Sequence, residues 1–170
     1  EYAHHQEHYQ KTIDVLDRND CIIVSGPQNL EAIVTPMDVL QYLDSIVSCF
    51  VLVGEIEQTL RSVMRDVFSS DDEISGAIER PLSAKYKDKD RPLPSSLEDL
   101  TFDELVTVIC NGDNYKLIGE ILGEDRKRTR STLKKVREIR NKLFHFRGEL
   151  SEEEREDLLF CHRWLNHCTR

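Results

Sequence analysis

Three polar residues in the C-terminal part of the sequence, Arg140, Asn141 and His145, have types that can do chemistry together. A guanidinium group can bind an anion, and an imidazole can carry a proton near neutral pH. Their spacing places them beside an apolar helical stripe, which suits an interface between two helices better than a solvent-facing role. The stripe consists of Leu133, Val136, Ile139, Leu143 and Phe146. Spacing alone favours a purely structural role, in which Arg140 makes a salt bridge and His145 packs against neighbouring side chains.

Basic residues are concentrated on the same segment. Between Arg126 and Arg147 the sequence has ten Lys or Arg residues and one acid, Glu138, although the whole chain has a formal net charge of -9. The net charge argues against nucleic-acid binding, whereas this segment could present a basic face to a polyanion. A solvated helix face is the alternative, and charge alone does not decide between the two.

The first 45 residues have mixed α and β character. Periodicity predicts a helix over residues 5–16, and residues 21–24 and 32–34 have the pattern of short strands that pair as a hairpin. Thr35, followed by Pro36 and by an acid at position 38, is typical of a helix start. A helix–strand–strand–helix order of this kind resembles the latter part of a CBS motif.

Residues 32–40 carry most of that resemblance. In CBS modules the Thr and Asp of this segment often contact the phosphate and ribose of an adenine nucleotide, which implies Thr35 and Asp38 as nucleotide-binding residues. Ala32 stands where the motif usually has Gly, and CBS motifs work in pairs. With one motif in the chain, we favour the alternative that Thr35 and Asp38 only cap the helix.

Apolar residues recur at helical spacing over residues 38–68, which predicts one long continuous helix between the two regions. The following segment, residues 69–97, is rich in Ser, Asp, Lys and Pro. A short helix near residues 72–78 is predicted there, followed by a long loop over residues 80–97.

Capping boxes at Thr101 and Ser151 predict two further helix starts, and a long helix is predicted over residues 125–146. Residues 46–170 therefore indicate an all-α bundle with short connections. The predicted fold is mainly α: a helical domain at 46–170, joined by the long helix to a small α/β segment at 1–45.

The segment Arg140-Asn141-x-x-x-His145 resembles the Arg-polar-x-x-x-His motif of HEPN domains and lies on the helix where that family has it. Residues 50–61 look like the first helix of HEPN proteins of the abortive-infection type. The resemblance covers roughly residues 46–168. It implies a HEPN-like helical bundle.

The resemblance also implies a homodimer whose two motifs face each other in one composite cleft and cut RNA without a metal or other cofactor. His145 would be the general base or acid, Arg140 would bind the scissile phosphate, and Asn141 would orient one of them. Glu57 would support Arg140, although we favour its ion pair with Arg61, four residues later. The implied contacts to the RNA backbone are Arg126, Lys127, Arg128, Arg130, Lys134 and Arg137.

Cysteine usage and apolar runs indicate the compartment. Five cysteines leave one unpaired in any disulfide scheme, which favours reduced thiols in a cytoplasmic protein. The longest uninterrupted apolar run, residues 49–53, is too short to span a bilayer, and no signal peptide is visible, so no membrane association is expected. The sequence does not begin with Met, and we expect it to be part of a longer polypeptide.

Two histidine-containing groups could indicate a metal, but no metal site is predicted. The pairs at 161–162 and 167–168 cannot converge on one ion, because adjacent helical residues project about 100° apart. The cluster of His4, His5 and His8 is expected to be a solvent-exposed part of a terminal helix.

Two classes of function stay open. The first is a ribonuclease effector, such as a toxin or an antiviral defence nuclease, regulated by a nucleotide at the CBS-like segment. The second is a non-catalytic dimerisation or RNA-binding module of a nucleotide-sensing regulator.

Overall fold

A computed structural model describes residues 11–25, 30–87 and 92–169 of the 170-residue chain. Within these ranges the chain is mainly helical, with seven helices and one two-stranded sheet. The chain divides into two compact units, Glu1–Ser48 and Cys49–Arg170. This division lies three residues after the boundary expected at 45–46.

The N-terminal unit contains a small hairpin between two helices. Its described elements are α1 (residues 11–18), β1 (Ile22–Ser25), β2 (Leu30–Val34) and the first part of α2 (Pro36–Val67). The strands pair antiparallel, with Ile22 opposite Val34, which confirms the predicted hairpin. Helix α1 ends two residues later than predicted, and residues 5–10 of that prediction, including the histidine cluster, lie outside the described ranges.

Helix α2 confirms the prediction of one continuous helix over residues 38–68. Among the described residues it is the one helix long and apolar enough to cross a membrane, judged by length and composition. The five-residue apolar run did not reveal this helix, because polar residues interrupt a longer stretch of low charge. The apolar window of α2 is 17% buried, and one such helix is weak evidence for a membrane span, so membrane insertion does not follow. A cytoplasmic location stays a prediction.

The helical unit consists of five helices packed with the C-terminal half of α2. They are α3 (Asp71–Tyr86), α4 (Phe102–Ile109), α5 (Gly112–Leu122), α6 (Arg126–Phe144) and α7 (Glu152–Cys168). Both predicted capping boxes are present, at Thr101 and Ser151. Gly123 ends α5 with φ of 90°, a conformation that favours glycine. The predicted break at 111–113 falls instead at 110–111, with Asn111 as the N-cap of α5.

Helix α3 overturns the prediction of a long loop over residues 80–97, because residues 80–86 are helical. Ile74, Ile78, Leu82 and Tyr86 recur every four residues and are all buried in the core. Pro81 lies inside the helix, where proline removes one backbone hydrogen bond. Burial of this apolar row outweighs the helix-breaking tendency of the proline.

The hydrogen bond lost at Pro81 is replaced from another helix. A backbone N–H at position 81 would donate to the Ala77 carbonyl, and the fully buried side chain of Asn114 donates to that oxygen instead, at 2.9 Å. The same Asn114 Nδ2 also donates to the Val108 carbonyl at 2.9 Å, and its Oδ1 accepts from Arg80 at 3.1 Å. One amide thus joins α3, α4 and α5.

Replacing Asn114 with Ala should lower the free energy of unfolding by about 3 kcal/mol, because two carbonyl oxygens and a guanidinium lose their partner. Urea denaturation of the variant measures the loss. In a Pro81→Ala background the restored N–H can reach Ala77, so the same substitution should cost about 1 kcal/mol less. Strictly additive effects of the two substitutions would show that Asn114 does not compensate for Pro81.

Candidate active site at the C-terminal end of helix α6

Helix α6 ends at Phe144, two residues before the predicted end at 146. His145 is the C-cap residue, with φ of -101° and ψ of 8°, and its N–H donates to the Asn141 carbonyl at 3.2 Å. Its side chain is exposed. The structure therefore places His145 at the tip of the helix, where the imidazole can meet a ligand from solvent.

Arg140 is three-quarters buried and faces Glu57 of α2. Its Nε lies 3.7 Å from Glu57 Oε2, while Glu57 Oε1 lies 2.7 Å from Arg61 Nη1. Both interpretations of Glu57 thus have a geometric counterpart: it pairs closely with Arg61 and more loosely with Arg140. Arg61 is held in turn by the carbonyl oxygens of Leu97 and Leu100, at 3.2 and 3.1 Å.

An aromatic pair supports the guanidinium from its other side. The Cζ atom of Arg140 lies 4.8 Å from the centre of the Phe144 ring, which lies 5.3 Å from the ring centre of Phe50 on α2. Such cation–π contacts are worth about 0.5–1 kcal/mol at exposed sites and more when desolvated. The Arg140 guanidinium is therefore fixed in position by a carboxylate and a ring.

The donors of Arg140 are not used up by these contacts. Its Nε is the one buried side-chain nitrogen or oxygen in the described ranges that has no hydrogen-bond partner. The side chain keeps 28% of its surface exposed. Because Nε itself is out of reach of solvent, an anion that approaches the end of the helix would meet the exposed part of the Arg140 side chain.

Arg140 and His145 do not face each other within one chain. Five helical residues correspond to a rotation of roughly 140° and a rise of about 7.5 Å. Asn141 and His145 are separated by roughly 40° and share one side of the helix. The structure therefore brings Asn141 near His145, and it directs Arg140 toward α2 instead.

Several basic side chains of α6 already have acidic partners. Lys135 lies 2.8 Å from Asp157, and that hydrogen bond raises the pKa of the lysine. Lys142 lies 2.7 Å from Glu154, whose pKa is lowered by this bond. These two cations hold α6 to α7, so a ligand could bind them only if these ion pairs were broken.

Arg137, one of the six predicted RNA contacts, is also engaged. Its Nη1 lies 2.7 Å from Asp103 of α4. Beside that pair, burial opposes ionisation of Glu104, but hydrogen bonds from Tyr86 and Thr101 outweigh it and lower its pKa to about 2. RNA would therefore have to compete with Asp103 for Arg137.

Four predicted RNA-contacting residues are exposed at the opposite end of α6: Arg126, Lys127, Arg128 and Arg130. Within the described ranges none of the four forms an ion pair, whereas exposed Lys134 lies 3.8 Å from Glu138. The two ends of α6 are about 27 Å apart at 1.5 Å per residue. The exposed basic cluster and the Arg140–His145 end are therefore separate surfaces.

A cleft of about 430 Å³ adjoins the basic end of α6. Its walls include Arg128 and Thr132 of α6 together with Phe160 and Trp164 of α7. Clefts of this size can hold a nucleotide-sized ligand. Glu120, Glu124 and Asp125 also line the cleft, so it does not continue the basic surface, and it is distinct from the His145 end.

The predicted nucleotide-binding residues Thr35 and Asp38 bond to each other. Asp38 Oδ2 accepts from the Thr35 N–H at 2.7 Å and from its hydroxyl at 2.6 Å, and the Asp38 N–H donates back to the hydroxyl at 3.3 Å. The hydrogen bonds from Thr35 lower the pKa of Asp38. This reciprocal pattern is helix capping, the role favoured from the sequence, and nucleotide binding stays a prediction.

Cysteine and histidine side chains are dispersed across the two units. All five cysteines lie in the described ranges and none forms a disulfide. Burial raises the pKa of Cys161 to about 12, and His162 lies 2.8 Å from Glu55. In the described part of the chain, no three His, Cys, Asp or Glu side chains group closely enough to hold a metal ion.

Phe50 and Phe144 were not predicted from the sequence as supports of the site. Phe144 follows Arg140 by four residues, a spacing that could have indicated the contact. Phe50 lies on another helix, and its contact depends on how α2 packs against α6. A long-range partner of this kind has no local signal.

Replacing Glu57 with Ala should lower the free energy of unfolding by about 2 kcal/mol, because two largely buried guanidinium groups lose their shared carboxylate. Asp66→Ala is the matched control, since Asp66 is an exposed acidic residue of the same helix. Urea denaturation of both variants gives the comparison. Equal losses would mean that Glu57 does not stabilise the arginine pair.

Comparison of the chain with protein-family models, curated proteins and solved structures found no significant match. Any functional proposal therefore depends on the geometry of the α6 end and on the Arg140-Asn141-x-x-x-His145 segment itself.

Proposed function

We propose that this chain is a metal-independent endoribonuclease of the HEPN type, with a composite active site formed between two copies. The observation that carries the proposal is the end of α6. There a guanidinium held by Glu57 and Phe144 belongs to a side chain that is still 28% exposed, and an exposed imidazole follows it at the helix tip. This combination supports binding of a phosphate and transfer of a proton beside it.

The proposed reaction uses the ribose of the substrate as nucleophile. A base removes the proton of the 2′-hydroxyl, the oxygen attacks the adjacent phosphorus, and the bond to the 5′-oxygen breaks as that oxygen takes up a proton. The products are a 2′,3′-cyclic phosphate and a 5′-hydroxyl. His145 serves as base or acid, Arg140 stabilises the charge that develops on the phosphate oxygens, and Asn141 orients His145.

Two features support a homodimer over a single-chain site. The reaction needs one group that accepts a proton and one that donates it, and the motif of one chain supplies a single imidazole. Arg140 and His145 also diverge by roughly 140° around α6. A second copy supplies the other imidazole and brings a second guanidinium to the cleft.

The exposed basic end of α6 supports binding of the RNA backbone. Arg126, Lys127 and Arg128 lie in the first turn of the helix, at the positive end of its dipole, where cations are unfavourable. A polyanion would relieve this repulsion and release counterions. We assign the same role to Arg130 and Lys134, whereas Arg137 would first have to leave Asp103.

We also propose a biological setting for this activity. A toxin or antiviral defence nuclease in the cytoplasm fits an enzyme that destroys RNA without a cofactor. An adenine nucleotide at Thr35 and Asp38 would regulate it, provided that it displaces the mutual hydrogen bonds of these residues.

The second candidate function is a non-catalytic RNA-binding or dimerisation module. The observation that favours it is the 27 Å separation, at about 1.5 Å per residue, between the exposed basic cluster and His145. Such a module would bind RNA in a salt-sensitive manner and leave it intact.

Replacing His145 with Ala should slow RNA cleavage by at least about 100-fold, because a positioned acid or base contributes 10²–10⁴-fold. Cleavage of a fluorescent single-stranded RNA in the presence of EDTA measures the effect. His167→Ala, at an exposed histidine on α7, is the matched control and should cleave normally. Cleavage that persists in His145→Ala, or that EDTA abolishes in the unaltered protein, would contradict the proposal.

Mixing active and inactive chains tests the composite site. Because the reaction needs the imidazoles of both copies, heterodimers of an unaltered chain and a His145→Ala chain should be inactive. At constant total protein, cleavage should therefore fall with the square of the unaltered fraction once the subunits have exchanged, which differently labelled chains confirm. Cleavage that falls in direct proportion to the unaltered fraction would contradict the shared cleft.

A further inference from the structure

Phe146 has an unusual backbone conformation and an unusual exposure. Its φ is 51°, and it is the one non-glycine residue with positive φ in the described part of the chain. Its side chain is 87% exposed, although the sequence predicted it on the apolar stripe of α6. The prediction was wrong because α6 ends before this residue and the chain turns away.

The turn that holds Phe146 is a Schellman motif. The Phe146 N–H donates to the Leu143 carbonyl at 3.1 Å, and the Arg147 N–H donates to the Lys142 carbonyl at 2.9 Å. In this motif the residue at the position of Phe146 is usually glycine, because a Cβ atom strains the left-handed conformation. The chain does contain a glycine with positive φ two residues later, Gly148.

Neither packing nor propensity accounts for a phenylalanine at this position. The ring is almost fully exposed, so burial of apolar surface does not offset the backbone strain. Strain that stability does not explain points to a functional requirement. The turn holds an aromatic ring outward at the tip of α6, directly after His145.

We propose that Phe146 is a stacking platform for an unpaired base of single-stranded RNA, next to the phosphate at Arg140 and His145. This inference rests on RNA as the ligand of the proposed function, and it adds the residue that holds a nucleobase. Aromatic rings stack on bases with little sequence preference, because every base has a π-face. A phenyl ring carries no polar atoms, so the platform fixes the position of a base and does not read its identity.

The surroundings of Phe146 favour a nucleotide over a protein surface. Its neighbours His145 and Arg147 are both exposed and can contact a phosphate. Phe144, 45% exposed, already stacks with the Arg140 guanidinium. A ring flanked by groups that bind phosphate matches the alternation of base and phosphate along a single strand.

Binding of a 2′-O-methyl single-stranded oligonucleotide tests the platform without cleavage, since the nucleophilic hydroxyl is blocked. Phe146→Ala should weaken binding at least about tenfold, and Phe146→Tyr should bind like the unaltered protein. Tyr42→Ala is the matched control, because Tyr42 is an exposed aromatic residue of the N-terminal unit. It should bind normally.

Phe146→Gly separates stability from binding. It should raise Tm by about 2–4 °C, because glycine relieves the strain of the left-handed conformation, and it should weaken binding as much as Phe146→Ala. A spectroscopic arm uses Phe146→Trp in a Trp164→Phe background, since Trp164 is the one tryptophan of the chain. Its fluorescence should be quenched by the oligonucleotide and much less by one with abasic linkers.

The outcomes distinguish this inference from the nuclease proposal. RNA binding that depends on Phe146 without cleavage would overturn the nuclease and keep the platform. Cleavage with binding insensitive to Phe146→Ala would overturn the platform alone, and so would absence of oligonucleotide binding by the unaltered protein. Dissociation of the dimer by Phe146→Ala in sedimentation would assign the ring to a contact between subunits instead.

Discussion

The carboxylate of Glu57 stands between two guanidinium groups, and the position of the candidate site depends on it. Through Arg61 it is connected to the carbonyl oxygens of Leu97 and Leu100, which precede α4, and through Arg140 it is connected to α6. Charges this far from water need a partner. The ion pairs therefore set where the end of α6 lies against α2, and with it the position of the guanidinium that we propose to bind phosphate.

Local signals made much of the fold predictable from the sequence. The capping boxes at Thr101 and Ser151 and the glycine after α5 depend on residues three or four positions apart, so they could be recognised without tertiary information. The helix through Pro81 could not, because the amide that replaces its lost hydrogen bond, Asn114, lies 33 positions away. Proline alone predicts a break, and only the packed structure contains the compensation.

The candidate site, too, was predictable only where local signals determine it. The helical spacing of Arg140, Asn141 and the apolar stripe correctly predicted that Arg140 and Asn141 lie on one long helix, α6. Periodicity could not tell where that helix ends, since it assumes that the next turn continues, and this is why Phe146 was predicted as part of the stripe. Which arginines Glu57 contacts also depends on packing. Arg61 is four residues away on the same helix, whereas Arg140 belongs to α6.

Two features that usually destabilise a folded protein, a buried donor without a partner and a strained backbone, occur at one place in the described ranges. In the described ranges, the one unsatisfied buried side-chain donor, Arg140 Nε, and the one left-handed non-glycine residue, Phe146, both lie at the C-terminal end of α6. Elsewhere the bundle obeys the same rules closely, with capped helices and a buried Asn114 whose amide is fully used. Because buried polar side-chain groups elsewhere in the described bundle have hydrogen-bond partners, these two features are exceptions. Their coincidence at the end of α6 supports the proposal that a ligand binds there, with the exposed ring of Phe146 as one of its contacts.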